Sequence, residues 1–172
     1  TVVGGVAATV LMRQRRRLRE ARRLSRTDDL TGLRNRRALV ETLGEAMASG
    51  RPTALVLLEL DGFKEINDTY GHGAGDQVLR VVAGRIMPAY DEDCLVARLG
   101  GDEFAVLVAE FEPRRLTERV RETHRAIRRP IFLGTTSVVT HASIGVAVRT
   151  GDETTPADLL RKADRAMYRS KA

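Results

Sequence analysis

At 172 residues and 42% hydrophobic content, the chain has the length of one domain and enough apolar side chain for a single core. Its net charge of +6 is concentrated: residues 13–26 hold eight arginines and one glutamate, so residues 27–172 are close to neutral and offer no basic surface for nucleic acid. The single cysteine, Cys94, excludes an internal disulfide, agrees with a reducing compartment, and reads as a small buried hydrophobe.

In chain order, Thr1 to Met12 is apolar and small, then Arg13 opens the arginine cluster. A spanning helix needs about 20 apolar residues. The segment therefore reads as the end of a membrane helix, and the following arginines place the rest on the cytoplasmic side by the positive-inside rule. The alternative is a frayed tail; a signal peptide would carry its charge before the apolar run. Residues 13–26 read as a basic helical linker, with Leu18, Ala21 and Leu24 forming a thin seam for pairing with a second copy. Its arginines suit anionic headgroups equally well.

Residues 27–172 read as the folded domain. Thr27-Asp28 is an N-cap candidate, and Leu30 to Leu33 turns the chain into a helix from about Arg36 to Ser49, broken by Gly50-Arg51-Pro52. Thr53 to Leu60 is nearly all apolar, as in a central strand covered on both faces. Glu59 and Asp61 share one side of that strand, and an acid at the end of such a strand faces a cleft, because burying it unpaired is costly.

Gly62-Phe63-Lys64 opens the next turn and helix, where free backbone N–H groups can receive phosphate oxygens and Lys64 adds charge. Asn67, and Asp76 after a loop from Gly71 to Gly75 that contains His72, suit the donor and acceptor edge of guanine; both residue types are also ordinary turn formers. Asp76 to Met87 follows as an amphipathic helix.

Arg98-Leu99-Gly100-Gly101-Asp102-Glu103-Phe104 lies between two apolar runs, Cys94 to Ala97 and Phe104 to Val108, and predicts a hairpin with Asp102 and Glu103 at its tip. Two carboxylates there can hold a hard divalent cation, while Gly100 and Gly101 let a ligand approach the backbone. An ordinary acidic turn is the plainer alternative. A charged helix from about Pro113 to Arg128, a strand from Val138 to Arg149 and a closing helix from Pro156 to Ser170 complete the chain. The expected class is α+β, with helices packed on a mostly antiparallel sheet.

The hairpin stretch resembles the signature of the GGDEF family, the diguanylate cyclases. Similar blocks occur at Asp28 to Arg37, Asp61 to Asp68, Gly71 to Asp76, Ser143 to Ala147 and Ala163 to Lys171. The resemblance implies a palm-like nucleotidyl cyclase fold and condensation of two GTP into cyclic di-GMP and two pyrophosphates across a homodimer. It implies that Glu59, the Leu60 carbonyl and Asp102 hold Mg or Mn, and that Glu103 lies beside the attacking hydroxyl or a second metal. Gly62, Phe63, Lys64 and Lys171 are matched to phosphate binding, Gly100 and Gly101 to close substrate approach, and Asn67, Asp76 and Leu79 to guanine. A tethered cyclase at the cytoplasmic face of the inner membrane, driven by an N-terminal sensor, is the corresponding expectation for the whole protein.

Three departures accompany the resemblance. Glu59 stands where the family usually has Asp, so the alternative is a weak or inactive regulatory module that binds GTP. Asp91 to Cys94 replaces the Arg-x-x-Asp of the inhibitory product site, so no such site is expected. The closing motif normally continues beyond Lys171 to a further basic residue.

Overall fold

The computed structural model describes residues 26–149 and 155–171. The segment read as a membrane-helix end, and all but Arg26 of the basic linker, lie outside the described residues. Among those described, no helix is long and apolar enough to cross a membrane.

The order is β1 (Arg34–Asn35), α1 (Arg36–Ala48), β2 (Thr53–Asp61), α2 (Phe63–Tyr70), α3 (His72–Ile86), a short 3₁₀ turn, β3 (Leu95–Gly100), β4 (Glu103–Ala109), α4 (Pro113–Ile127), β5 (Ile131–Leu133), β6 (Thr136–Val138), β7 (His141–Val148) and α5 (Pro156–Ser170). Five strands form one sheet in the order β1-β3-β4-β2-β7. All its pairings are antiparallel except β1 with β3. The class is α+β, a mostly antiparallel sheet flanked by helices.

Strand β2 shows why two layers of helix are needed. Its even positions Ala54, Val56, Leu58 and Leu60 belong to a core with Val78, Leu79, Val82 and Ile86 of α3. Its odd positions Leu55 and Leu57 belong to a second core with Leu39 and Leu43 of α1 and Leu159, Ala163 and Met167 of α5. Side chains alternate across a strand, so an unbroken apolar run must be covered on both faces. Each fully buried Leu or Ile contributes about 1.5–3 kcal/mol to this arrangement.

Several boundaries differ from expectation. Helix α3 begins at His72, not Asp76, because Gly71 (φ 84°) alone reverses the chain after α2. His72 is therefore helical. The bare backbone of Gly75 is where the Asn67 carboxamide packs, and a Cβ there would displace that side chain. The expected strand from Val138 is two elements, since Val138 pairs with Ile131 in the β5–β6 hairpin and β7 starts at His141. Asn35, not Thr27 or Asp28, caps α1, its side chain accepting from the Ala38 amide at 3.0 Å. Asp28 accepts instead from the Thr31 amide and hydroxyl and pairs with Arg98.

Candidate active site

The site forms where the central strand runs out of apolar residues. Glu59 lies opposite Glu103 on β4 and Ser143 on β7, and Leu60 lies opposite Ala142. The Leu60 amide donates to the Asp102 carbonyl at 3.3 Å, tying the hairpin turn to the strand end. That turn carries Gly100 (φ 138°) and Gly101 (φ 53°), backbone angles that L side chains avoid, and a register shift between Arg98 and Gly100.

Arg98 clamps the turn. Its Nε and Nη2 donate to the Gly101 carbonyl at 3.0 and 2.7 Å, while Nη1 donates to both Asp28 carboxylate oxygens at 3.1 Å. Burial alone would push the Asp28 carboxyl up, but the Thr31 and Arg98 hydrogen bonds outweigh it and hold the group below the usual carboxylate range. The segment entering the domain is thereby locked to the turn that carries Asp102.

Between the strand end, the turn and the start of α2 opens a cleft of about 460 Å³, walled by Glu59, Leu60, Asp61, Asp102 and Lys171 and by Gly62 to Glu65. Gly62 (φ 71°) is the N-cap of α2 and offers no side-chain cap. The first amides of α2, at Phe63 and Lys64, therefore have no intrahelical acceptor and border the cleft. Asp61 accepts from the Ser143 hydroxyl at 2.8 Å.

The charges here are unbalanced. Burial, and after it the negative charge of Glu59, raises the Asp102 carboxyl above its ordinary value. Lys171 Nζ lies 2.6 Å from Glu59 Oε1. That hydrogen bond, with the charges of Glu59, Asp61 and Asp102, raises the Lys171 ammonium. Like charges brought together on one wall favour a cation among them. Two carboxylates and a carbonyl are oxygen donors suited to Mg or Mn, ions that keep several waters and take further ligands from substrate phosphates. Among the described residues no group of three or more His, Cys, Asp or Glu is arranged to hold a metal ion.

Helix α5 delivers Lys171 because it touches the sheet. A Cβ on Gly145 of β7 would collide with the Ala163 carbonyl and the Met167 amide, so only glycine allows this approach. A capping box of Thr155 and Asp158 starts the helix.

The other residues singled out in the sequence fall elsewhere. Glu103 does not line the cleft; Arg36 Nη2 meets it at 3.3 Å, and the two border a separate hollow with Leu99 and Asp164. Asn67 packs on Gly75 and so lies beside Asp76, on α2 and α3, and neither lines the carboxylate cleft. Leu79 is 2% exposed, within the core beneath these two helices. Asp91, in the place of the family's arginine, pairs with Arg115 at 3.0 Å and with Arg119. Ser143, Arg36 and the Arg98–Asp28 pair were not anticipated. All four lay within stretches already marked by their resemblance to the family's motifs, but none had been given a role in the site.

A carboxylate rim at the end of a central antiparallel strand, beside an uncapped helix start, marks a palm-like α+β domain. Residues 25–172 match the family described as diguanylate cyclase, GGDEF domain, and the chain belongs to that family. It is 43% identical over 156 residues to the uncharacterized protein Rv1354c of Mycobacterium tuberculosis, covering 87% of this chain and 25% of that protein. It is 35% identical over 167 residues to the cyclic di-GMP phosphodiesterase PdeR of Escherichia coli, covering 96% and 25% respectively. The coiled coil and GGDEF domain of DgcB from Caulobacter crescentus, solved in complex with c-di-GMP, superposes with a TM-score of 0.81 at 31% identity, over 97% of this chain and 91% of that one. The chain spans about a quarter of the length of these two curated relatives.

Proposed function

We propose that this domain is a metal-dependent diguanylate cyclase that joins two GTP molecules into cyclic di-GMP and two pyrophosphates, each copy of a homodimer holding one GTP. One observation carries the reading: the strand pairing and the Leu60–Asp102 hydrogen bond bring Glu59, the Leu60 carbonyl and Asp102 to one wall of a cleft that also receives the first amides of α2. In each step the 3′-oxygen of one GTP bonds to the α-phosphorus of the other as the bond to the β-phosphate breaks. Mg or Mn held by Glu59, Asp102 and the Leu60 carbonyl would supply charge neutralisation at the phosphates and a lowered pKa for the attacking hydroxyl.

The chain's own groups position the reactants. Glu59, Asp102 and the Leu60 carbonyl hold the cation, and the Phe63 and Lys64 amides receive phosphate oxygens. Gly62, Gly100 and Gly101 leave room for the nucleotide against the backbone. Asn67 and Asp76 read the guanine edge, with Leu79 as the apolar floor below them. Lys171 exchanges its Glu59 partner for a phosphate when the nucleotide arrives. Glu103, released from Arg36, serves the attacking hydroxyl or a second metal. Asp91, neutralised by Arg115 and Arg119, provides no inhibitory product site. The N-terminal 26 residues support tethering of the whole protein at the cytoplasmic face of the inner membrane, beneath a sensor.

A second reading has its own support. Glu59 is one methylene longer than the family's usual aspartate and is already satisfied by Lys171 at 2.6 Å. On this reading the domain binds GTP and regulates a neighbouring domain without making product. The test is to incubate the protein with GTP and Mg and assay cyclic di-GMP chromatographically, alongside Asp102→Ala and Glu59→Asp. Product from the parent and none from Asp102→Ala supports the cyclase. GTP binding without product from the parent or Glu59→Asp supports the regulatory module.

A further inference from the structure

A groove of about 600 Å³ lies next to the carboxylate cleft and shares Asp61, Ser143 and Ser170 with it. Its wall is basic: Arg121, His124, Arg125 and Arg128 from the last turns of α4 and the residue after it, and His141 from the first position of β7. Asp61 is the one carboxylate there, and it already accepts from the Ser143 hydroxyl.

Among the described residues, no ion pair holds the guanidinium of Arg121, Arg125 or Arg128, although Glu118 and Glu122 lie within a turn of them. The same helix uses Arg115 and Arg119 in ion pairs with Asp91, so its arginines do find carboxylates where the fold supplies them. Arg121 and Arg125, like His124 and Arg128, are four residues apart and share a face. Like charges at that spacing destabilise a helix by a few tenths of a kcal/mol. Cations in the last turn are partly rewarded by the helix dipole, which falls off within one turn. It accounts for His124, Arg125 and Arg128, but not for Arg121, nor for His141 on another element.

We propose that this groove is a binding site for inorganic pyrophosphate, adjoining the carboxylate cleft on its α4 side. Three unpaired guanidiniums suit an anion with several negative oxygens, because each presents a planar fork of donors to phosphate. The shared wall places the groove where a diphosphate leaving the cleft passes. The choice of pyrophosphate over other condensed phosphates rests on the cyclase reading; the anion site itself does not.

The test is calorimetric titration of the protein with pyrophosphate, without divalent cation, beside the triple variant R121S/R125S/R128S, the charge-keeping triple lysine variant, and Arg125→Ser alone. The expected result is at least tenfold weaker binding in the triple serine variant, a partial loss in Arg125→Ser, and largely retained binding in the lysine variant. Orthophosphate should bind at least tenfold more weakly than pyrophosphate to the parent. Thermal melting checks that each variant is folded, which exposed side chains without internal partners should allow.

Equal pyrophosphate affinity in the parent and a folded triple serine variant would overturn the proposal, as would no binding to the parent or equal affinity for orthophosphate. A cyclic di-GMP assay on the parent separates the two readings. Arginine-dependent pyrophosphate binding without product leaves the groove standing and the cyclase refuted. Product without such binding does the reverse.

Discussion

The two ends of the β3–β4 hairpin are built from the same ingredients, carboxylates and cations on a rigid sheet, and they treat charge in opposite ways. At the far end, Asp91 is flanked by Arg115 and Arg119, and Arg119 also stands over the Tyr90 ring with 6.0 Å to its centroid. The Asp91 carboxylate is thus matched by charges of opposite sign. At the turn end, Glu59 and Asp102 share one wall, the Lys171 ammonium is held by Glu59, and Asp102 is raised by burial and by Glu59. A group whose charged form is disfavoured in the fold lowers stability, and such groups collect where a ligand will supply the missing charge.

Replacing Asp102 breaks the contrast most directly. Asp102→Asn is expected to lower cyclic di-GMP formation by roughly 100-fold or more, since misplacing a reacting partner by about 1 Å already costs that much. Its stability should move the other way. A carboxyl raised in the folded state binds more protons there than in the unfolded chain, so its penalty grows as pH rises through its range. The variant should therefore melt above the parent at pH 7, with the difference vanishing in acid. A lower melting temperature at pH 7 would remove the strain argument.

Gly145→Ala tests how the ammonium arrives. The new methyl must displace the α5 backbone, and overpacking of this kind costs about 1–3 kcal/mol. Denaturant midpoints should show the loss. An unchanged midpoint would mean that the helix yields freely and that its close approach does not fix Lys171.

Glu59→Asp sharpens the comparison from within the strained end. Shortening the side chain draws it away from Lys171 and is expected to raise the rate of product formation about tenfold, equivalent to about 1.4 kcal/mol in the barrier. A fall would show that the backbone has adjusted to glutamate.

Asp91→Asn at the satisfied end should have the smallest effect. Its carboxylate is largely exposed, and such pairs contribute about 0–1 kcal/mol. The expected loss is under about 1 kcal/mol, reduced further in high salt. A larger loss would mean that the far end is a structural keystone and not merely balanced.

Much of this was legible along the chain, for local reasons. The nearly all-apolar run from Thr53 to Leu60 required a strand covered on both faces, the glycines before Asp102 required a tight hairpin turn, and Pro156 to Ser170 emerged as a helix with those limits. The carboxylate rim was readable because it rests on one strand and one turn, whose register follows from the alternation of their side chains. Where several glycines clustered, from Gly71 to Gly75, the sequence could not tell which one turned the chain. A single left-handed glycine ended one helix and began the next, and the others were absorbed into α3.

The amino-acid sequence alone thus determined the family, the two helical layers on an antiparallel sheet, and the carboxylates of the cleft, because periodicity and turn chemistry are properties of neighbours in the chain. Tertiary structure decided which charges meet: Arg98 with Asp28, 70 residues away, Lys171 with Glu59, and Arg121 and Arg125 of α4 with no carboxylate among the described residues. Such pairings depend on how closely separate elements pack, as where α5 rests on the bare backbone of Gly145, and no local pattern carries that distance.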